Sequence, residues 1–143
     1  NACLAEALGV VVEPPISVGG VRDLLWHGRL ATPATPAEVA EKLRLHLGRP
    51  ALHIAAAPAQ IEHLAWCSGG AQKFLSAAAA LGVQAYISGE ISEPTTHEAR
   101  ELGVHYFAAG HHATERAGVQ ALGAHLAEHF QIDHQFIDDD NPA

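Results

Sequence analysis

Methionine is absent from this chain, and only two cysteines, Cys3 and Cys67, occur among its 143 residues. Two thiols make no disulfide framework, and no C-x-x-C pair is present to suggest a zinc ribbon or a redox motif. Basic residues are scarce too: eight Lys and Arg stand against sixteen Asp and Glu, for a formal net charge of −8. A nucleic-acid surface needs clustered cations to meet phosphates, and these eight are scattered, so nucleic acid is not an expected partner. The longest apolar stretches, such as Ala77–Leu81, are far too short to cross a bilayer, and no basic-then-apolar signal segment opens the chain. A cytoplasmic protein without membrane contact is the expectation. The start at Asn1, with no Met anywhere, reads as a fragment or processed piece.

What remains is the composition of a globular domain, 48% hydrophobic and 17% charged, long enough to bury a core. Eleven histidines are many for this length. Histidine is the commonest metal ligand and titrates near neutrality, although exposed histidines are chemically ordinary.

Residues 1–36 read as an N-terminal remnant with connecting strands: a helix over Ala2–Leu8 and strands near Val10–Val12 and Val21–Leu30. Pro14-Pro15 should stop the first strand, and the Pro- and Thr-rich Ala31–Pro36 reads as a linker. Residues 37–143 read as a C-terminal α/β domain. It should open with a helix over Ala37–Leu47 and a short strand over Ala51–Ala56. Three strand–turn–helix units follow: Ile61–Cys67 then Ala71–Leu81, Val83–Ile87 then Pro94–Leu102, and Val104–Ala109 then His112–Phe130. A last strand is expected over Ile132–Ile137, before the acidic tail Asp138-Asp139-Asp140. The fold class is α/β, with consecutive strand–turn–helix units forming a largely parallel or mixed sheet flanked by helices. In such sheets ligands bind beyond the carboxyl ends of the strands, where Ser68-Gly69-Gly70, Gly89-Glu90 and Gly110-His111 all fall.

The sharpest motif is Gly110-His111-His112-Ala113-Thr114-Glu115-Arg116. Positions i and i+4 share a helix face, so His111 and Glu115 can converge on a divalent cation. They lie on the side of the apolar stripe Val119, Leu122, Leu126 and Phe130, and a carboxylate aimed inward needs a counter-charge. The plainer alternative is a helix-start His–Glu pair favoured by the helix dipole. His112, about 100° round the helix, fits packing better. Ser68, Gly69 and Gly70 can either offer backbone amides to a phosphate or form a tight turn. Glu90 is a candidate catalytic or substrate-contacting carboxylate, or a structural group beside the next helix, where Pro94, Thr95 and Glu98 suggest a capping box. His46, His125, His129 and His134 read as surface positions, His97 as undetermined, and Trp26, Trp66 and Phe74 as core.

Ala65–Gln72 (AWCSGGAQ), Gly89–Glu93 (GEISE), Ala108–Arg116 (AAGHHATER), Phe136-Ile137-Asp138 and Asn141-Pro142 together resemble the GTP cyclohydrolase 1 type 2 homologue family of dinuclear-metal, Ngg-interacting-factor-like proteins. The similarity runs from Asn1 to Ala143 and suggests the C-terminal part of such a protein. The resemblance implies two similar α/β halves, a ring-shaped homohexamer and two divalent ions of open identity (Zn, Fe, Mn or Mg), with His111 and Glu115 as the last two ligands. The family's other ligands, an adjacent His-His pair, a His and an Asp, have no counterpart here: Asp23 is followed by Leu24-Leu25, and His27 stands alone.

The resemblance also implies a metal-dependent hydrolase acting on a nucleotide or related heterocycle. His111 and Glu115 would hold metal, Glu90 would handle a proton, and Ser68-Gly69-Gly70 would contact phosphate. The competing reading is a non-catalytic, metal-binding, ring-forming scaffold.

Overall fold

A computed structural model of the chain describes residues 1–139 and 141–143; Asp140, part of the acidic tail, lies outside the described residues. In chain order the elements are Ala2–Leu8 (α1), Val10–Val18 (β1), Val21–Ala34 (β2), Pro36–Leu47 (α2), Leu52–Ile54 (β3), Ile61–Cys67 (β4), a 3₁₀ turn Gln72–Phe74, Leu75–Ala79 (α3), Ala85–Ser88 (β5), Glu93–Leu102 (α4), His105–Ala108 (β6) and His111–Phe130 (α5).

The six strands make one mixed sheet in the order β1-β2-β4-β5-β6-β3. The run β4-β5-β6 is parallel, whereas β1 with β2, β2 with β4, and β3 with β6 pair antiparallel. Residues 1–36 therefore supply two strands to the sheet that the later residues continue. Only Glu62 of β4 is exposed, as befits an interior strand covered on both faces. Strand alternation divides the core. Leu64, Trp66, Ile87 and Phe107 pack with Leu4, Leu8, Val39 and Leu43 from α1 and α2 on one face. Ala65, Cys67, Tyr86 and Tyr106 pack with Leu75, Ala78 and Ala99 from α3 and α4 on the other. α2 starts at a capping box in which the Glu38 amide donates to Thr35 Oγ1 and the Thr35 amide donates to the Glu38 carboxylate.

Several elements depart from the sequence expectation. β1 runs straight through Pro14-Pro15, because it is an edge strand and its register slips between Glu13 and Ile16; proline is tolerated at edges and bulges. The expected linker is strand as well: β2 extends to Ala34, with a register shift between Arg29 and Ala34. The helix expected over Ala71–Leu81 shrinks to the 3₁₀ turn and α3. There the Ala71 carbonyl accepts from both Tyr86 Oη and the Phe74 amide, which tightens the first turn. α4 is capped by Ser92, whose amide donates to Thr95 Oγ1, so Thr95 closes the cap and Glu98 does not. Ile132–Ile137 is not a strand, since the edge beside β6 is taken by β3.

The apolar stripe of α5 also lies elsewhere than expected. Val119, Leu122, Leu126 and Phe130 are exposed, and only Ala113 and Thr114 of this helix are buried. The first turns of α5 rest on the sheet and on α1, where Cys3 Sγ reaches the Ala117 carbonyl; beyond Thr114 none of its residues is buried. Among the described residues, no helix is long and apolar enough to cross a membrane.

Candidate metal centre

The carboxyl ends of β4, β5 and β6 converge through their backbones. The Gly89 amide donates to the Gly69 carbonyl at 2.9 Å, and the Gly110 amide donates to the Gly89 carbonyl at 2.9 Å. A Cβ at Gly89 would lie 2.7 Å from both the Gly69 carbonyl oxygen and His111 Cα, so close approach of three chain segments requires glycine there. Gly69 adopts φ +68°, and a Cβ on it would run into the Glu115 carboxylate and sit 3.1 Å from His111 Nε2. The glycines at the three strand ends thus bring the turns together and leave room for the side chains of α5.

His111 occupies the centre of this junction. Its Nδ1 lies 2.6 Å from Glu90 Oε1 and its Nε2 lies 3.3 Å from Glu115 Oε2. Glu90 Oε2 accepts in turn from Gln72 Nε2 at 3.1 Å, while Gln72 Oε1 is buried without a hydrogen-bond partner among the described residues. The hydrogen bond from His111, with that from Gln72, holds the Glu90 carboxyl below its ordinary range. The hydrogen bond to Glu90 raises His111, and the charge of Glu115 adds to it. The three side chains are partly open to solvent, at 39% for His111, 44% for Glu90 and 53% for Glu115. Glu115 is therefore not buried, and it faces His111 Nε2 across the first turn of α5.

Of the residues singled out in the sequence, Glu90, His111, Glu115, Gly69 and Gly70 come together. The turn Ser68-Gly69-Gly70 is poorly free to cradle a phosphate: the Ser68 amide donates to Asn1 Oδ1 and the Gly69 amide to Thr114 Oγ1, both at 3.0 Å. Two of its three amides are thus already used within the chain. His112 turns to the tail, 3.4 Å from Asp138 Oδ1, where Arg116 also binds Asp138. A cleft of about 360 Å³ bordered by His111, His112, Glu115, Asn141 and Ala143 opens beside the pair.

Two residues escaped the sequence reading. Thr114 accepts from the Gly69 amide and donates to the His111 carbonyl at 2.9 Å, locking the β4 turn to the first turn of α5. Gln72 steadies Glu90. Thr114 lies inside the quoted motif, but its partner is 45 residues away, and no local spacing reveals that.

His111 Nε2 and the Glu115 carboxylate fit one edge of a divalent-metal shell. Ligand bonds of about 2.0–2.2 Å place neighbouring donor atoms roughly 3 Å apart, as observed here. Glu90 on the far ring nitrogen matches the carboxylate–histidine–metal arrangement, in which Nδ1–H donates to the carboxylate and Nε2 is left as the donor to metal.

A second cluster lies elsewhere in the sheet: one ligand atom each from Glu13, His27 and His63 falls within 4.8 Å of the others. His27 and His63 are buried, and burial pushes His63 below the ordinary histidine value, against an opposing pull from Glu13. His27 therefore does not stand alone, as its sequence context suggested.

Among relatives, the GTP cyclohydrolase 1 type 2 homolog of Allochromatium vinosum is 54% identical over 100% of this chain and 56% of its own length. The protein of the same name from Pseudomonas aeruginosa is 50% identical, again over 100% of this chain and 56% of its own. A solved structure described as protein ybgI, of unknown function, superposes with a TM-score of 0.92 at 44% identity, covering 100% of this chain and 56% of that one. TTHA1606 from Thermus thermophilus gives 0.84 at 27% identity, with 99% and 55% covered. The chain thus spans about half the length of the curated relatives it matches. With its residues 1–142 matched by the model of the Duf34/NIF3 (NGG1p interacting factor 3) family, the chain belongs to that family.

Proposed function

We propose that the chain is part of a dinuclear divalent-metal hydrolase acting on a nucleotide or a related heterocycle. The observation that carries this reading is His111 held between Glu90 on Nδ1 and Glu115 on Nε2. The name GTP cyclohydrolase 1 type 2 homolog borne by the relatives supports the substrate class. When bound, divalent ions would supply an acidified water and a positive charge facing a developing oxyanion. His111 and Glu115 would hold metal, and the remaining ligands would come from the part of the relatives' length that this chain does not span.

Glu90 is best assigned to positioning. Both of its oxygens are engaged and its carboxyl is held low, which makes it a weak base but a good anchor for the imidazole. With two of its three amides engaged, the Ser68–Gly70 turn supports shaping the cleft more than phosphate binding. Self-association, as in the ring that the resemblance implies, is supported by the exposed apolar row Val119, Leu122, Leu126 and Phe130.

The test uses the full-length protein. Glu115→Gln should lower bound metal at least tenfold after dialysis while the fold persists, because an amide keeps the shape and loses the charge. Unchanged metal content with reduced stability would make Glu115 a structural helix-start residue. A nucleotide panel incubated with Mn, Zn or Fe then separates the hydrolase from the metal-binding scaffold: metal retained without turnover favours the scaffold.

A further inference from the structure

The Glu13, His27 and His63 cluster lies at the opposite end of β4 from His111. His63 precedes Ser68 by five residues, roughly 16 Å along an extended strand. Strand pairing assembles it. Glu13 faces His27 across β1 and β2, and Arg29 faces His63 across β2 and β4. Period-two alternation puts Glu13, His27, Arg29 and His63 on one face of the sheet.

Three potential ligand atoms converge there. His27 Nδ1 is 3.1 Å from His63 Nε2 and 3.3 Å from Glu13 Oε2, and His63 Nε2 is 3.8 Å from the same oxygen. A tetrahedral ion with bonds near 2.05 Å sets its ligand atoms about 3.3 Å apart, which this triangle approximates. The surroundings prepare two of the three ligands. His27 Nε2 lies 3.0 Å from the Pro14 carbonyl, which can only accept, so the proton of neutral His27 resides on Nε2 and Nδ1 presents its lone pair to the triangle. Arg29 Nε donates to Glu13 Oε1 at 3.1 Å, which orients the carboxylate and leaves Oε2 for the triangle. Both imidazoles are buried, whereas the Glu13 side chain is 36% exposed, so the open side of the triangle faces solvent through Glu13. With nothing between them, the carboxylate oxygen and the His27 lone pair would oppose each other at 3.3 Å; a shared cation removes that conflict.

We propose that Glu13, His27 and His63 form a mononuclear site for a borderline divalent transition ion, zinc foremost. Two imidazoles and one carboxylate suit zinc and its neighbours, whereas magnesium and calcium favour all-oxygen shells. Three protein ligands leave a position for water or a small anion. The site is independent of the His111 pair and does not rest on the proposed hydrolase activity.

The test uses tag-free chain and Co²⁺ or Zn²⁺ alone as the probe. A His111→Gln/Glu115→Gln double variant should still bind one equivalent of Co²⁺, with the visible absorption of a four-coordinate ion. Adding Glu13→Gln should weaken that binding at least tenfold; Glu13 is partly exposed, so the buried histidines and the fold stay in place. In histidine ring ¹⁵N spectra of the double variant, Zn²⁺ should shift His27 Nδ1 and His63 Nε2 while His27 Nε2 keeps its proton. Binding lost in the double variant, or indifferent to Glu13→Gln, or ring shifts confined to other histidines, would overturn the proposal.

Discussion

Replacing Thr114 by Val tests whether the junction between the β4 turn and α5 is held by one hydroxyl. The two side chains are nearly isosteric, so the methyl packing of Thr114, 4% exposed, is retained. What disappears is an acceptor for the buried Gly69 amide at 3.0 Å and a donor to the His111 carbonyl at 2.9 Å. An unsatisfied buried amide costs about 1–3 kcal/mol. For a domain of this size each kcal/mol lowers Tm by roughly 3–4 °C, so Thr114→Val should melt about 3–12 °C below the wild type by calorimetry or circular dichroism. Thr114→Ser keeps both hydrogen bonds and loses only one buried methyl, worth about 0.8 kcal/mol, so it should fall much less. Equal losses in the Val and Ser variants would show that the hydroxyl is not the tie, and a Val variant melting within about 1 °C of wild type would refute the reasoning altogether.

Gly69→Ala should cost about 1–2 kcal/mol for a left-handed conformation at φ +68°, and its methyl should also push Glu115 from His111; a thermal melt and a metal-binding titration read the two effects separately. Thr35→Ala should lower the denaturation midpoint by removing the capping box of α2. Glu38 is held below the usual glutamate value of 4.5 by the backbone and side-chain hydrogen bonds of Thr35. A carboxyl lowered on folding contributes stability that is present above its unfolded pKa and lost as pH falls through the folded one. The gap between wild type and Thr35→Ala should therefore narrow on acidification below that value, and a gap independent of pH would deny the carboxylate its part. Leu126→Glu/Phe130→Glu, placed on the exposed row of α5, should move the chain toward monomer in sedimentation velocity; an unchanged sedimentation coefficient would put any association surface elsewhere.

The parallel half of the fold was legible because each strand there is followed within two residues by glycine and each following helix has its own start. Ile61–Cys67 reads as a buried strand directly, and Gly69, Gly89 and Gly110 mark where the chain turns. The antiparallel half was not. Pro14-Pro15 and Ala31–Pro36 look like breaks when proline is weighed locally, yet Pro14-Pro15 and Ala31–Ala34 lie in strands whose register shifts absorb them. Ile132–Ile137 erred the opposite way: its composition suits a strand, but pairing is decided by whether an edge is free, and β3 already occupies the one beside β6. The α5 stripe misled for a related reason. Periodicity shows that Val119, Leu122, Leu126 and Phe130 share a face, not that anything in this chain covers it.

The same contrast separates the two clusters of metal-ligating side chains. His111 and Glu115 are four residues apart on a helix, and that spacing alone brings them together, so a sequence can announce them. Glu90 joins from the adjacent strand end, which the alternation of strands and helices already placed nearby. Glu13, His27 and His63 are 14 and 36 residues apart and meet only through the register of β1, β2 and β4. Between the β1–β2 turn and Glu13, that register passes through the shift at Pro14-Pro15. A one-residue slip of β1 would turn Glu13 to the opposite face and leave His27 facing His63 without a carboxylate. The prolines that concealed the strand in the sequence are thus next to the feature that completes the cluster: the Pro14 carbonyl fixes the His27 tautomer, and the residue before it supplies the acid.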